Sequence, residues 1–297
     1  MALVVVGCAW SADVWAASAP PTPSRAAIQA AQTPPANEYV GDDTCTTCHA
    51  QTLKGTKHGV AADPHTPAAQ HGCESCHGPG KAHVDDDNKG HINRFPKMSP
   101  RDASAVCTTC HNKGDHALWA GSTHDSRSLS CITCHSVHSP VVAKAQLKAT
   151  DQFAMCGTCH RVQVQKTQRT SHMPLREGKM ECTSCHNPHG TPNDKMLLQT
   201  SVNQNCYTCH AEKRGPFLWE HAPVRENCLN CHDAHGTINE KMLKVKTPLL
   251  CQQCHQTSSH PGPAYPAQSR YAFNQGCLHC HPAVHGSVHP SGNRFFR

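Results

Sequence analysis

The chain has 297 residues, of which 37% are hydrophobic and 5% aromatic, alongside 22 prolines, 26 histidines and 21 cysteines. So polar a chain cannot offset its ordering entropy by burying its own side chains, which excludes an ordinary globular core and leaves something else to form one. The formal charge of +6 is easily reversed by anionic cofactors and is no evidence for nucleic acid.

Residues 1–16 open with an apolar run and reach a small-residue cleavage pattern at Val14-Trp15-Ala16, which predicts a signal peptide despite the missing positive n-region. Cys8, in Val-Val-Gly-Cys, also resembles a lipoprotein acylation site, although few residues precede it. Residues 17–40, rich in Ala, Pro, Thr and Gln, read as a flexible lead-in to a single domain over 41–297.

From Cys45 onward, twenty cysteines form ten C-x-x-C pairs, and histidine follows every pair at once. By composition alone histidine would follow a given pair about one time in ten, so ten successes are not chance. C-x-x-C-H is the attachment signature of c-type haem. Cysteines at i and i+3 lie on one side of a helical turn, within reach of the two vinyl groups of one porphyrin, and the histidine at i+4 offers its imidazole to the iron. A zinc ribbon joins two pairs around one ion and needs no histidine after each. Disulfide-exchange chemistry would use one pair, not ten.

The motifs group into five two-haem units beginning near residues 45, 107, 156, 206 and 251, a spacing typical of repeat proteins. Unit one carries Cys45, Cys48 and His49, then Cys73, Cys76 and His77. Its predicted sixth ligands are His58 and His83; His65 competes with His58, because His65-Thr66-Pro67 matches the His-x-Pro of later units. Unit two carries Cys107, Cys110 and His111, then Cys131, Cys134 and His135, with His124 and His138 as sixth ligands. Unit three has Cys156, Cys159 and His160, then Cys182, Cys185 and His186, with His172 and His189. Unit four has Cys206, Cys209 and His210, then Cys228, Cys231 and His232, with His221 and His235. Unit five has Cys251, Cys254 and His255, then Cys277, Cys280 and His281, with His260 and His285, and His289 as competitor to the last.

Two extra histidines per unit match two haems per unit, which predicts ten covalently bound haems with bis-histidine iron. His189 follows His186 by only three residues and is expected to serve a different haem, so that the repeats interlock. His71, His91, His116 and His279 fit no register. Trp119 and Trp219 read as packing against porphyrin faces rather than as electron relays, and Asp85-Asp86-Asp87 as a solvated loop.

The predicted fold class is a multihaem cytochrome c: elongated, mostly irregular with short α-helices, almost no β structure, and a haem-dominated core. Helix should begin at several C-x-x-C-H motifs, and the prolines argue against long elements. Six-coordinate iron leaves no place for substrate, so no catalytic residue is assigned. The C-x-x-C-K motif of multihaem nitrite reductases is also missing, so an electron carrier is expected rather than an enzyme.

The stretches CYTCHAEKRGPFLWEHAPVRENCLNCHDAHG (206–236), LCQQCH (250–255) and VHGSVHPSG (284–292) extend well beyond the attachment motifs. Through them the chain resembles the MtrA/DmsE family, the periplasmic decahaem cytochromes of outer-membrane electron conduits. The resemblance implies a place in the periplasm, inserted in the outer membrane through a β-barrel partner. It also implies a periplasmic or inner-membrane cytochrome as one electron partner and, in some cases, an extracellular multihaem cytochrome as the other; no nucleic acid is expected. It leaves the direction open between reduction of extracellular acceptors and oxidation of ferrous iron. The alternatives are a soluble periplasmic shuttle or haem reservoir, and more remotely a multihaem reductase.

Overall fold

The computed structural model describes residues 38–86, 91–255 and 276–296. The signal peptide, most of the lead-in, Cys8, Asp87 and His260 lie outside the described residues. Among those described, the α-helices run from four to nine residues, the longest being Pro100–Thr108. The only β structure among them is six isolated bridges. Turns and short 3-10 segments make up the remainder.

Each attachment motif is one hydrogen-bonded turn. In all ten, the histidine N–H donates to the carbonyl of the first cysteine at 2.8–3.1 Å, the i→i−4 bond that brings both thiols and the imidazole to one side. The two motifs of a unit reach that turn differently. At the second, helix begins with the motif: Cys131–Cys134 is α-helical, while Cys182–Ser184, Cys228–Asn230 and Cys277–His279 are 3-10 turns. At the first, the order is reversed, and a short helix runs into the cysteine. Pro100–Thr108 delivers Cys107, Gln152–Gly157 delivers Cys156 and Val202–Tyr207 delivers Cys206. A capping side chain starts each of these helices: Ser99, Asp151 and Ser201 accept from the backbone N–H three residues on.

Side chains alone make almost no core. The only buried hydrophobic residues described are Ala103, 2% exposed, and Trp119, 9% exposed. What holds the backbone is a set of crossings between consecutive units. Asn187 Nδ2 donates to the Asp115 carbonyl, Ser171 bridges Thr237, and Trp219 bridges Ser287. Lys166 Nζ lies 2.6 Å from Asp233 Oδ2.

Candidate haem sites

The crossings bring histidines together, all but one pair from different units. Ring centroids lie 6.3 Å apart for His49 and His83, 6.1 Å for His77 and His138, and 5.9 Å for His58 and His111. The distance is 6.0 Å for His135 and His189, 6.2 Å for His124 and His160, and 6.3 Å for His186 and His235. His221 with His255 and His232 with His285 are both at 6.2 Å. Metal–nitrogen bonds of about 2.0 Å on each side would hold two trans imidazoles about 6 Å apart. Each pair therefore spans the gap that one iron between two imidazoles requires, and each contains one motif histidine and one lone histidine.

The interleaving follows a rule. The lone histidine between the motifs of one unit faces the first motif histidine of the next: His58 to His111, His124 to His160, His221 to His255. The histidine three residues beyond a second motif faces the second motif histidine of the preceding unit: His138 to His77, His189 to His135, His235 to His186. His285, four residues beyond His281, reaches back to His232 in the same way. His49 and His83 close within unit one. His65 and His289 enter no such pair among the described residues. His172 and His210 are not in ring contact; His172 Nε2 lies 3.0 Å from Glu177 Oε1, and His210 Nδ1 lies 3.7 Å from Glu212.

The second nitrogen of many of these imidazoles is tied to the backbone. Nδ1–H donates to the Asn93 carbonyl from His77 at 2.8 Å, to Ala145 from His135 at 2.6 Å and to Lys195 from His186 at 2.9 Å. His232 donates to Lys241 at 2.8 Å and His281 to Arg294. His124 donates to Pro188 at 2.8 Å. An acceptor on Nδ1 fixes the tautomer that leaves Nε2 bare for a metal. Burial pushes His58, His77, His221, His235 and His285 below the usual imidazole range, and takes His189, beside His116 and His135, to about 4. These rings are thus neutral, as ligation requires.

Three of these carbonyls, those of Ala145, Lys195 and Lys241, are presented by a strained turn that sequence reasoning missed. Ala145 and Gln146, Lys195 and Met196, and Lys241 and Met242 all have φ between 49° and 56°, a left-handed conformation costly for side-chain-bearing residues. The signal was present as GTPNDKML (190–197) repeated as GTINEKML (236–243). Leu147, Leu197 and Leu243 then bridge back to His135, His186 and His232, closing a strap beneath each imidazole.

The cysteines form an ordered ladder. Within each unit the first cysteines of the two motifs are neighbours: Cys45 with Cys73, Cys107 with Cys131, Cys156 with Cys182, Cys206 with Cys228, and Cys251 with Cys277. Between units the second cysteines interact: Cys76 with Cys110, Cys134 with Cys159, Cys185 with Cys209, and Cys231 with Cys254. No three His, Cys, Asp or Glu side chains converge on a point that could hold a bare metal ion among the described residues.

One thioether-forming pair, one adjacent imidazole and a gap for a planar group, repeated along a chain without its own core, define a multihaem c-type cytochrome. The model of the doubled CXXCH motif matches residues 124–165, 172–215 and 221–260, each window opening on a lone histidine: His124, His172 or His221. The model of cytochrome c554 and c-prime matches residues 9–78. The multiheme cytochrome MtrA of Shewanella baltica is 43% identical over 270 residues, 85% of this chain and 80% of that protein. Cytochrome c-554 of Nitrosomonas europaea is 31% identical over 34% of this chain and 48% of that protein. The cytochrome c-type protein NrfB of Escherichia coli is 26% identical over 40% of this chain and 65% of that protein. The chain belongs to the MtrA family of multihaem c-type electron-transfer cytochromes.

Proposed function

We propose that the chain carries ten haems, eight of them held between the paired imidazoles described above, and that it conducts electrons across the outer membrane inside a β-barrel partner. The observation that carries this reading is the ladder of cysteines, which sets each attachment site beside the next in chain order. Low-spin haem iron, when bound, alternates between ferric and ferrous states and passes single electrons.

The residues have three tasks. The cysteines would hold the haems covalently, in the order of the ladder. The motif histidines His49, His77, His111, His135, His160, His186, His210, His232, His255 and His281 supply the proximal nitrogen. His83, His138, His58, His189, His124, His235, His285 and His221 close the opposite faces. The register extends to His172 for His210, at 38 residues against the 36 from His124 to His160 and the 34 from His221 to His255. On this reading Glu177 releases His172 as the site fills. His260 is left for His281.

With both axial positions filled, the chain's job is conduction rather than substrate turnover. Among the described residues no helix is long and apolar enough to cross a membrane, and a backbone held by turns could not face lipid unprotected. A barrel wall supplies the shield. A periplasmic or inner-membrane cytochrome would meet one end and an extracellular acceptor, donor or multihaem cytochrome the other. The potentials of those neighbours set the direction of flow.

Fractionation of the native host with haem-stained gels tests the placement. Recovery of the chain with a barrel protein in mild detergent is expected. Recovery wholly in the soluble periplasm without a barrel would replace the conduit with a soluble shuttle. Intact mass tests the haem count, and a ferric spectrum free of high-spin signal tests the ligation.

A further inference from the structure

The imidazole pairs differ in two respects that bear on redox potential. Six of them, His49–His83, His77–His138, His135–His189, His186–His235, His221–His255 and His232–His285, lie within 26° of parallel. His124 and His160 stand at 55°. His58 and His111 are crossed at 86°. The second difference is the carbonyl on Nδ1. His77, His135, His186, His232 and His124 each have one. His58 Nδ1 is buried without any partner, and no described carbonyl accepts from His111. His221 Nδ1 is also buried without a well-aligned acceptor, although the Val284 backbone lies close enough to act on the ring, and that ring is only 21° from the ring of His255.

Both features at His58 and His111 act in one direction. An N–H···O=C bond gives an imidazole partial imidazolate character, which stabilises ferric iron; without it the ferrous state gains. Parallel imidazoles push electron density into the same iron dπ orbital and split the dπ pair, which favours a ferric hole. Crossed imidazoles load the two orbitals alike and remove that preference. The crossing is built into the chain. His58 arrives on the turn Lys57–Gly59, 53 residues before His111. Gly59 allows that turn, because a Cβ there would sit 2.0 Å from the Leu53 carbonyl oxygen. His116, 5.4 Å from His111, fills the flank of the second ring.

We propose that the His58–His111 site has the highest potential of the array and is where an electron rests longest between its neighbours. The inference rests on the ligation proposed above. Capture there needs no bond to break or form: one electron enters the iron and leaves to the next site.

The test is a redox titration of the full holoprotein followed by low-temperature EPR, with His58→Ala, His58→Met and His65→Ala as companions. Crossed imidazoles give one broad low-field low-spin feature, set apart from the rhombic signals of near-parallel pairs. The expected result is that this feature disappears first on reduction, before the rhombic amplitude falls. His58→Ala is expected to replace it with one high-spin signal, and His65→Ala to leave it unchanged. A feature removed by His58→Ala that titrates with or after the rhombic signals would overturn the inference and keep the ligation. A His58→Ala protein that keeps the feature and gains no high-spin signal would overturn both. Should His58→Ala not accumulate, the wild-type titration still decides the order of reduction, and His58→Met identifies the site by shifting that feature alone.

Discussion

Gly190 and Gly236, the last residues of CTSCHNPHG and CLNCHDAHG, show how much a single position can carry. Their φ values are 115° and 122°, which a side chain rarely adopts. A Cβ at Gly190 would lie 2.3 Å from the Leu118 carbonyl oxygen, and one at Gly236 would lie 2.5 Å from that of Lys166. These glycines let the segment bearing His189 or His235 cross the preceding unit closely enough for its imidazole to reach back to His135 or His186. Gly236→Ala is therefore expected to cost about 2–4 kcal/mol, combining backbone strain with overpacking. It should also raise a high-spin signal from the haem on His186; both are read from thermal unfolding and the ferric spectrum. The histidines and cysteines were legible from the sequence because their chemistry fixes their spacing. The glycine requirement was not, because the atoms that forbid a side chain belong to another repeat.

At the scale of elements, the left-handed straps do work that regular secondary structure does in other folds. Lys195 and Lys241 turn a carbonyl under the imidazoles of His186 and His232 at a cost in backbone strain. Lys241→Gly removes that strain without moving the carbonyl and should stabilise the holoprotein by about 0.5–1 kcal/mol. Lys241→Pro cannot adopt the turn, and should raise the potential of the haem on His232 as its hydrogen bond is lost; spectroelectrochemistry separates the two variants.

A second element-scale contact, Lys166 with Asp233, ties unit three to unit four, with side chains 29% and 19% exposed. Burial raises the Asp233 carboxyl, but the bond from Lys166 and the N–H of His235 outweigh it and leave it below the usual range. A depressed carboxylate contributes stability that is full at neutral pH and is lost as pH falls through its folded value. Lys166→Met and Asp233→Asn should show coupling of about 1 kcal/mol in a double-mutant cycle near pH 7, shrinking under acid conditions. Short helices running into the first motifs could not be told from helices starting there, since the turn is the same in both. The capping residues Asp151 and Ser201 carried that information.

For the whole molecule, the backbone crossings described run within a unit or between neighbouring units. Stability should then be a sum of unit and interface terms, as in repeat proteins, with the bound haems adding the core that the units lack. Chain without haem is expected to be largely unfolded, and far-ultraviolet circular dichroism with and without attachment checks it. The need for a non-protein core was legible from composition, and Ala103 and Trp119 as the only buried hydrophobic residues described agree with it. Which histidine faces which was only partly legible. The count and register came from the sequence, but the pairing across units depends on crossings of residues such as Asp115 and Asn187 that no local pattern predicts.

The central claim is conduction through a membrane. The direct measurement places the purified chain, with its co-purifying barrel, in liposomes loaded with a reduced viologen dye and adds a ferric acceptor outside. Oxidation of the enclosed dye is predicted when chain and barrel are both present, and not with the barrel alone. Dye that stays reduced in the presence of both, with every haem attached and low-spin, would contradict the account.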